Sequence, residues 1–144
     1  MMEKDKEILR EMRKGKRLNV SEIARKLSLP VSTVSDRIRA IEKRYVIKHS
    51  SLLNYPKLGY LAHAKLAVRI NPEKRQQFVD FLREESCVNS VYHVNSGYDF
   101  LVEIVFKSQI LLKQWVEIAK ERFNLDITTF QILKIEEKEG FMPK

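Results

Sequence analysis

Residues 19–44 combine short hydroxyl side chains with basic side chains at helical spacing, a combination that suits the recognition of nucleic acid. Hydroxyls can approach base edges or phosphates closely, whereas the longer Arg and Lys side chains reach phosphates or the edge of guanine. An acidic side chain can accept a hydrogen bond from the amino group of cytosine. The side chains that this segment offers for such contacts are Arg25, Lys26, Ser32, Thr33, Ser35, Asp36, Arg37, Arg39, Lys43 and Arg44.

The positive charge of the chain is concentrated around these residues. Residues 1–50 contain 14 Lys and Arg against 7 Asp and Glu, whereas residues 51–144 contain 13 against 12. The first segment therefore carries +7 of the formal net charge of +8. A basic field confined to one small module indicates a polyanionic partner, and nucleic acid is the first candidate.

Apolar spacing predicts that the candidate contact residues lie on a helix-turn-helix. A first helix over residues 4–14 carries one apolar stripe and ends at Gly15. Asn19 can cap a second helix, and Pro30 begins a third. The core-facing residues of the third helix recur every three or four positions and are Val31, Val34, Ile38 and Ile41.

The chain changes character after this third helix. Residues 46–53 are β-prone and predict a wing or a connecting strand, and Pro56 and Gly59 then interrupt regular structure. We therefore predict two domains: a helix-turn-helix DNA-binding domain over residues 1–54, and a dimerisation or effector domain over residues 55–144.

The second domain has the pattern strand, helix, strand, then strand, helix, strand. Alternating or continuous apolar residues predict strands over residues 62–70, 88–94, 100–106 and 127–135. Helices follow the first and third strands, with Asn71 and Ser108 as their caps. This β-α-β-β-α-β order is the ferredoxin-like arrangement. The predicted fold class is α+β, with an N-terminal winged helix-turn-helix followed by a ferredoxin-like domain.

One face of such a sheet carries no helices and needs a partner. Depending on strand register, this face presents Tyr92, Leu101 and Phe130 or their alternates. Covering it with a second copy of the chain is the simplest solution, so we expect a homodimer.

The turn between the two middle strands offers a possible ligand clamp. Free N–H groups at a Gly turn can hold a carboxylate, and an Asp can hold an ammonium group. An amino-acid effector would then contact Ser96, Gly97, Tyr98 and Asp99. The alternative is a simple hairpin turn whose Asp99 caps neighbouring N–H groups.

RNA binding through the sheet is a second functional hypothesis, and a stand-alone effector-sensing module is a third. The segment over residues 96–102 partly matches the third strand of an RNA-recognition module, in which aromatic residues stack on bases. Ser96 replaces the basic residue of that pattern, however, and Asp99 places a negative charge where a phosphate would pass. The net charge of +1 in residues 51–144 also provides little positive potential to attract RNA phosphates.

Other kinds of chemistry find little support in the sequence. The three histidines match no metal-ligand spacing, and the four glycines form neither a Walker nor a Rossmann motif. Cys87 is the single cysteine, which fits a reducing compartment. No apolar run approaches the ~20 residues that span a bilayer. We therefore expect a cytoplasmic protein that is not an enzyme, with no cofactor, no metal and no membrane partner.

The whole layout resembles the Lrp/AsnC (feast/famine) family of prokaryotic transcription regulators over about residues 5–138. The order and spacing of several short segments carry this resemblance, namely Asp5 with Ile8 and Leu9, Ser32-Thr33-Val34-Ser35, Arg37-Ile38, Ile41-Glu42, Val46-Ile47, Leu58-Gly59 and Tyr98-Asp99. The family commonly has Gly at the positions of Ser28, Tyr45 and Ser96, and a capping Ser at the position of Pro30.

The resemblance implies a dimer or an assembly of dimers, often an octamer, with an amino acid bound near residues 96–99. We predict a regulator that binds double-stranded DNA in a sequence-specific manner. The helices over residues 31–44 of two subunits would enter successive major grooves about 34–36 Å apart. We expect the hydroxyls and Asp36 to read bases and Arg39 to read a base or bind a phosphate. The expected phosphate contacts are Arg25, Lys26, Arg37, Lys43 and Arg44.

Overall fold

The computed structural model describes residues 1–15 and 17–142. The chain forms two compact units, of which the first comprises Met1–Leu52 and the segment that begins at Glu137. The second unit is Leu53–Glu136. The predicted boundary after residue 54 lies close to the first of these divisions. The assignment of the last residues to the first unit was not predicted.

The described residues of the first unit form three helices: α1 (Glu3–Arg13), α2 (Val20–Leu27) and α3 (Val31–Tyr45). Asn19 caps α2 as predicted, because its side-chain oxygen accepts a hydrogen bond from the Glu22 N–H at 3.1 Å. Apolar side chains at helical spacing meet between the helices and exclude water. The buried core consists of Ile8, Ile23, Ala24, Val34, Ile38 and Ile41.

The positions where the family commonly has glycine behave differently in this chain. Ser28, between α2 and α3, adopts the left-handed region at φ 53°, a conformation that suits the end of a helix. Tyr45 remains in α3, and the chain leaves the helix through the extended Val46. No left-handed residue is therefore needed at Tyr45. Residues 46–53, where a wing or connecting strand is expected, adopt no regular secondary structure.

The segment beginning at Glu137 is held by the end of α1. The Arg13 guanidinium donates to the backbone oxygens of Glu139 at 3.0 Å and of Phe141 at 3.2 Å. It also lies 3.3 Å from the Glu139 carboxylate. These residues are more than a hundred positions apart in the chain, so local sequence pattern carried no sign of the contact.

The second unit contains four strands and two α-helices: β1 (Ala62–Arg69), α4 (Arg75–Glu84), β2 (Val88–His93), β3 (Phe100–Phe106), α5 (Gln109–Phe123) and β4 (Asp126–Gln131). Short 3-10 turns over Pro56–Leu58 and Pro72–Lys74 precede β1 and α4. The sheet has the order β2-β3-β1-β4, and every neighbouring pair is antiparallel. This is the ferredoxin-like order, so the predicted α+β fold class is confirmed.

The strand register decides which side chains face the helices. Alternate residues of β1 pack with β3, α4 and α5 in a core that includes Leu66, Val68, Phe78, Val102 and Leu112. The opposite face carries the cross-strand neighbours Tyr92, Leu101 and Ala67, with Phe130 beside Lys65. Tyr92 and Phe130 remain 55% and 53% exposed. The prediction of an uncovered face with these aromatic residues is therefore correct within this chain.

Candidate nucleic-acid interface and effector turn

Helix α3 presents a continuous exposed face on the side opposite the core. Val34, Ile38 and Ile41 are buried, and a helix advances about 100° per residue, so the residues between them point outward. The exposed residues on this outward face are Ser32, Asp36, Arg39, Ala40 and Lys43. Thr33 and Ser35 are half-buried at its edges. This surface combines polar, charged and methyl groups that can contact base edges.

Asp36 and Arg39 form an ion pair at the centre of this face. The Arg39 Nη2 donates to Asp36 Oδ1 at 3.1 Å, and the two side chains are 74% and 76% exposed, respectively. The pairing offsets the negative charge that an isolated Asp would present to DNA phosphates. A half-exposed or fully exposed pair of this kind adds little to folding stability.

Arg37 has a structural partner that the sequence did not reveal. Its Nη1 donates to Asp5 Oδ1 at 2.8 Å, and the two side chains are only 25% and 23% exposed. The pair joins α3 to α1. Arg37 therefore stabilises the helical unit in this structure, whereas a phosphate contact remains a prediction.

Lys26 is also engaged within the protein. Its ammonium lies 2.9 Å from the Glu11 carboxylate, which Lys14 contacts at 2.7 Å. Hydrogen bonds from Lys14 and then Lys26 hold the pKa of Glu11 below its usual range. Glu11 in turn raises the pKa of Lys26. A phosphate contact by Lys26 remains a prediction.

Two further basic residues lie at the margins of α3. Arg25 is exposed in the last turn of α2, and Arg44 is exposed with its guanidinium 5.4 Å from the centre of the Tyr45 ring.

Ala40 was missed by the sequence reasoning, although its place one helical turn after Asp36 could have revealed it. Its exposed methyl group can contact the methyl group of thymine.

The turn between β2 and β3 contains two successive left-handed residues. Ser96 has φ 66° and Gly97 has φ 92°, a combination found in the tight turns of β-hairpins. The Val94 N–H donates to the Asp99 carbonyl at 2.9 Å and closes the hairpin. Gly97 suits the turn because an L side chain is strained at such a φ.

Asp99 is tied to the protein through both carboxylate oxygens. Oδ2 accepts from the Ile70 N–H at 2.8 Å, and Oδ1 accepts from Arg75 Nη2 at 2.7 Å. The Ile70 N–H, followed by Arg75, holds the pKa of this carboxyl below its usual range, although partial burial opposes them. Asp99 therefore accepts from groups 24 and 29 positions away in the chain, and not from the neighbouring N–H groups of the turn that the alternative interpretation expected. Its role in effector binding remains a prediction.

Tyr98 and Arg69 make further contacts at the same turn. The Arg69 guanidinium lies 4.8 Å from the centre of the Tyr98 ring, and its Nε donates to the Gly97 carbonyl. The Tyr98 hydroxyl lies 3.3 Å from Thr128 Oγ1 on β4. An open depression of about 520 Å³ lies beside the turn and is lined by His93, Val94 and Asn95.

Phe100 lies in the segment over residues 96–102 that partly matches the third strand of an RNA-recognition module. Phe100 is only 4% exposed and packs in the helix-facing core, where it contacts Phe78. It cannot meet a base without unfolding this part of the sheet. Phe100 is therefore not available for base stacking in this fold.

Glu103 is a buried carboxylate that sequence reasoning did not single out. It is 5% exposed, and its oxygens contact His63 Nε2 at 2.6 Å and Ser90 Oγ at 3.0 Å. An irregularity in the pairing of β2 brings Asn89 to the same carboxylate. The cluster is an internal polar network of the sheet, and its members are too far apart in sequence for a spacing motif.

In the part of the chain that the structure describes, no group of three or more His, Cys, Asp or Glu side chains is placed to hold a metal ion. Among residues 1–15 and 17–142, no helix has the length and apolar character required to cross a membrane.

Comparisons with known proteins agree with the fold. Residues 2–48 match a family described as winged helix-turn-helix DNA-binding. An uncharacterised HTH-type transcriptional regulator of Pyrococcus furiosus is 32% identical over 114 residues, which cover 78% of this chain and 77% of that protein. The HTH-type transcriptional regulator LrpA of Bacillus subtilis is 27% identical over 126 residues, with coverage of 86% and 93%.

A solved structure extends the likeness to both units. The transcriptional regulator NMB0573 of Neisseria meningitidis, in a complex with L-Met, has a TM-score of 0.86 at 19% identity and covers 96% of this chain and 93% of its own. At this identity the likeness concerns the fold alone.

Together these features define a transcription regulator with a winged helix-turn-helix domain. The chain belongs to the Lrp/AsnC family, as the sequence predicted.

Proposed function

We propose that this regulator binds double-stranded DNA in a sequence-specific manner by inserting α3 into the major groove. The observation that carries the proposal is the exposed face of α3, which lies within residues 1–50, where the net charge is +7. Polar groups on this face can read base edges, and flanking basic side chains can bind phosphates.

The internal ion pairs refine the roles of the candidate residues. Ser32, Thr33, Ser35, Asp36, Arg39 and Ala40 form the base-reading set. Lys43, Arg44 and Arg25 are the phosphate contacts, and Lys26 can add to them from its position beside Glu11. Arg37 is a secondary candidate, because Asp5 already holds its guanidinium.

We propose that the functional unit is a homodimer formed through the uncovered face of the sheet, with octamers as a possible higher assembly. Tyr92 and Phe130 supply exposed aromatic area on that face, and burial of such area favours association. A two-fold dimer would place two α3 helices on a pseudo-palindromic DNA site.

Sedimentation of the full chain can test the dimer. Phe130→Asp places a charge on the uncovered face and should shift the protein toward monomer. Ile118→Asp is the matched control, because Ile118 is similarly exposed, at 61%, but lies on α5. A Phe130→Asp protein that remains as dimeric as wild type would refute this interface.

We propose further that an amino-acid effector binds near the turn formed by Ser96, Gly97, Tyr98 and Asp99. The turn adjoins an open depression, and a regulator of the same fold is known in a complex with L-Met. Since Asp99 is occupied by Ile70 and Arg75, an ammonium group must share its oxygens with these partners or displace Arg75.

Selection of bound sequences from random duplex DNA, with and without a mixture of amino acids, tests both proposals. We expect a two-fold symmetric motif with wild-type protein and no enrichment after loss of residues 1–50. An effector should alter the affinity or the spacing of the enriched sites. Equal binding to all duplexes would refute sequence-specific recognition, and preference for single-stranded RNA would favour the alternative function.

A further inference from the structure

Folding stability does not account for the exposed pair of Asp36 and Arg39. Both side chains are about three-quarters exposed, and the pair lies three residues apart on one helix. Such pairs contribute little to stability in water. A carboxylate on this face also repels DNA phosphates, so Asp36 reduces nonspecific attraction in the most basic part of the chain.

The geometry leaves most donors of Arg39 available. A guanidinium has five N–H groups in one plane, and Asp36 accepts from Nη2 alone at 3.1 Å. Contact with guanine requires two donors, directed at O6 and N7. An Arg side chain has many rotamers, so a neighbouring acceptor that restricts them reduces the entropy lost on contact with a base.

We propose that Asp36 is a positioning residue that directs Arg39 to guanine. The proposal rests on the proposed function, because it requires α3 to lie in the major groove. The carboxylate orients the guanidinium and partly neutralises it, which lowers its attraction to phosphates relative to a base edge. Within the groove, where water is partly excluded, the pair is stronger than in free solution.

A direct contact between Asp36 and cytosine is the main competing role. A carboxylate can accept from the cytosine N4 amino group without help from Arg39. The two roles predict different changes in the DNA motif when Asp36 is replaced, so they can be separated.

The experiment selects bound sequences from random duplexes with full-length wild type, Arg39→Ala, Asp36→Ala, Asp36→Asn and the double Ala variant. We expect wild type to enrich guanine at one position in each half-site. Arg39→Ala and Asp36→Ala should both reduce this preference, by ~5- to 150-fold for loss of a bidentate contact. The double variant should match Arg39→Ala.

Asp36→Asn is the conservative variant, which should keep the preference for guanine. Its amide oxygen can still accept from Arg39, so guanine preference should persist while binding to all sequences strengthens, because a negative charge is lost. Lys43→Ala is the control for a phosphate contact. It should weaken the salt dependence of binding without changing the motif.

Three outcomes would overturn the proposal. Asp36→Ala could retain guanine and lose a cytosine, which would make Asp36 a direct reader. Arg39→Ala could weaken all sequences equally, which would make Arg39 a phosphate contact. A wild-type protein that enriches no motif would instead refute the proposed function, and this inference with it. Thermal unfolding of each variant shows that the exposed substitutions leave the fold intact.

Discussion

Asp5 and Arg37 join the first and third helices through a hydrogen-bonded ion pair of 2.8 Å, with about three-quarters of each side chain buried. The pair spans 32 residues of sequence and lies beside the face that carries the DNA-reading candidates. It gives Arg37, which the sequence proposed as a phosphate contact, a structural partner within the protein.

We expect Asp5→Ala and Arg37→Ala each to lower the free energy of unfolding by about 1–2 kcal/mol, because a charged hydrogen bond in a partly buried position is lost. The double variant should lose little more than either single variant, as urea unfolding would show. Arg37→Ala should leave the salt slope of DNA binding unchanged, whereas Lys43→Ala should reduce it by about 1. Unchanged stability together with a reduced slope in Arg37→Ala would make Arg37 a phosphate contact.

Replacement of Gly97 by Ala should destabilise the second unit by about 1–2 kcal/mol, because an L residue is strained at φ 92°. The expected destabilisation does not come from a steric clash, since the added methyl group would lie 3.9 Å from its nearest neighbour, Arg69 Nη2. Ser96→Gly is the control and should be neutral or slightly stabilising at φ 66°. Urea denaturation measures both. Equal stability of Gly97→Ala and wild type would show that the turn has another conformation in solution.

Asp99→Asn should make stability less dependent on pH in the acidic range. The Ile70 N–H, and then Arg75, lower the pKa of Asp99 in the folded state, so the carboxylate stabilises the fold above the usual carboxyl pKa of about 3.9. This stabilisation is lost as pH falls through the lowered pKa of the folded state. The difference between wild type and variant should therefore be constant from about pH 5 to 8 and shrink below about pH 4.

Thermal unfolding across this pH range measures the effect of Asp99→Asn. Asp126→Asn serves as the control, because that side chain is 69% exposed and lies 3.4 Å from Arg69. It should produce a much smaller difference. If the stability difference between wild type and Asp99→Asn does not change with pH, the ionised carboxylate of Asp99 does not stabilise the fold as proposed.

Cys87 should react slowly with alkylating reagents in the folded protein. Burial, followed by the negative charge of Glu85, raises the pKa of this thiol from 9.0 to about 11. Because the thiolate is the reactive form, alkylation by iodoacetamide at pH 8 should be roughly tenfold or more slower than in urea. The rate should rise as pH approaches 11. Glu85→Gln should increase it modestly, since one cause of the raised pKa is removed; fast alkylation of the folded wild type would contradict the assignment.

Arg13→Gln should release the segment around Glu139 from α1, because the guanidinium contacts two backbone oxygens and a carboxylate there. Tryptic cleavage after Lys134 and Lys138 should become faster, as mass spectrometry of a digestion time course would show. Arg10→Gln is the matched control, since Arg10 pairs with Glu7 within the same helix. Equal cleavage rates in wild type and Arg13→Gln would contradict a stabilising role for this contact.

Much of the fold could be predicted because it depends on local periodicity. Apolar residues at three- and four-residue spacing identified α3, and alternation identified β1. Asn19 and Ser108 act as helix caps as predicted, since capping depends on neighbours only three residues away. The predicted C-terminal end of β4, at residue 135, lies beyond the observed end at Gln131, because β-propensity alone does not show where pairing with β1 stops.

The candidate site was less predictable than the fold. The sequence identified the basic and hydroxyl residues of α3 but could not show that Arg37 is held by Asp5 or that Phe100 faces the helical core. It also proposed Asp99 as a ligand contact or a cap without deciding between them. Packing gave this carboxylate two internal partners, and the effector role now depends on the experiments above.

The sequence by itself determined the two-part organisation, the helix-turn-helix, the order of strands and the concentration of charge in residues 1–50. These properties follow from side-chain type and short-range spacing. Only the tertiary structure decided which polar and charged side chains are paired internally, as with Arg13 and Glu139 or His63 and Glu103. Such pairs depend on how distant elements pack, and the direction of packing is not contained in the periodicity of either element.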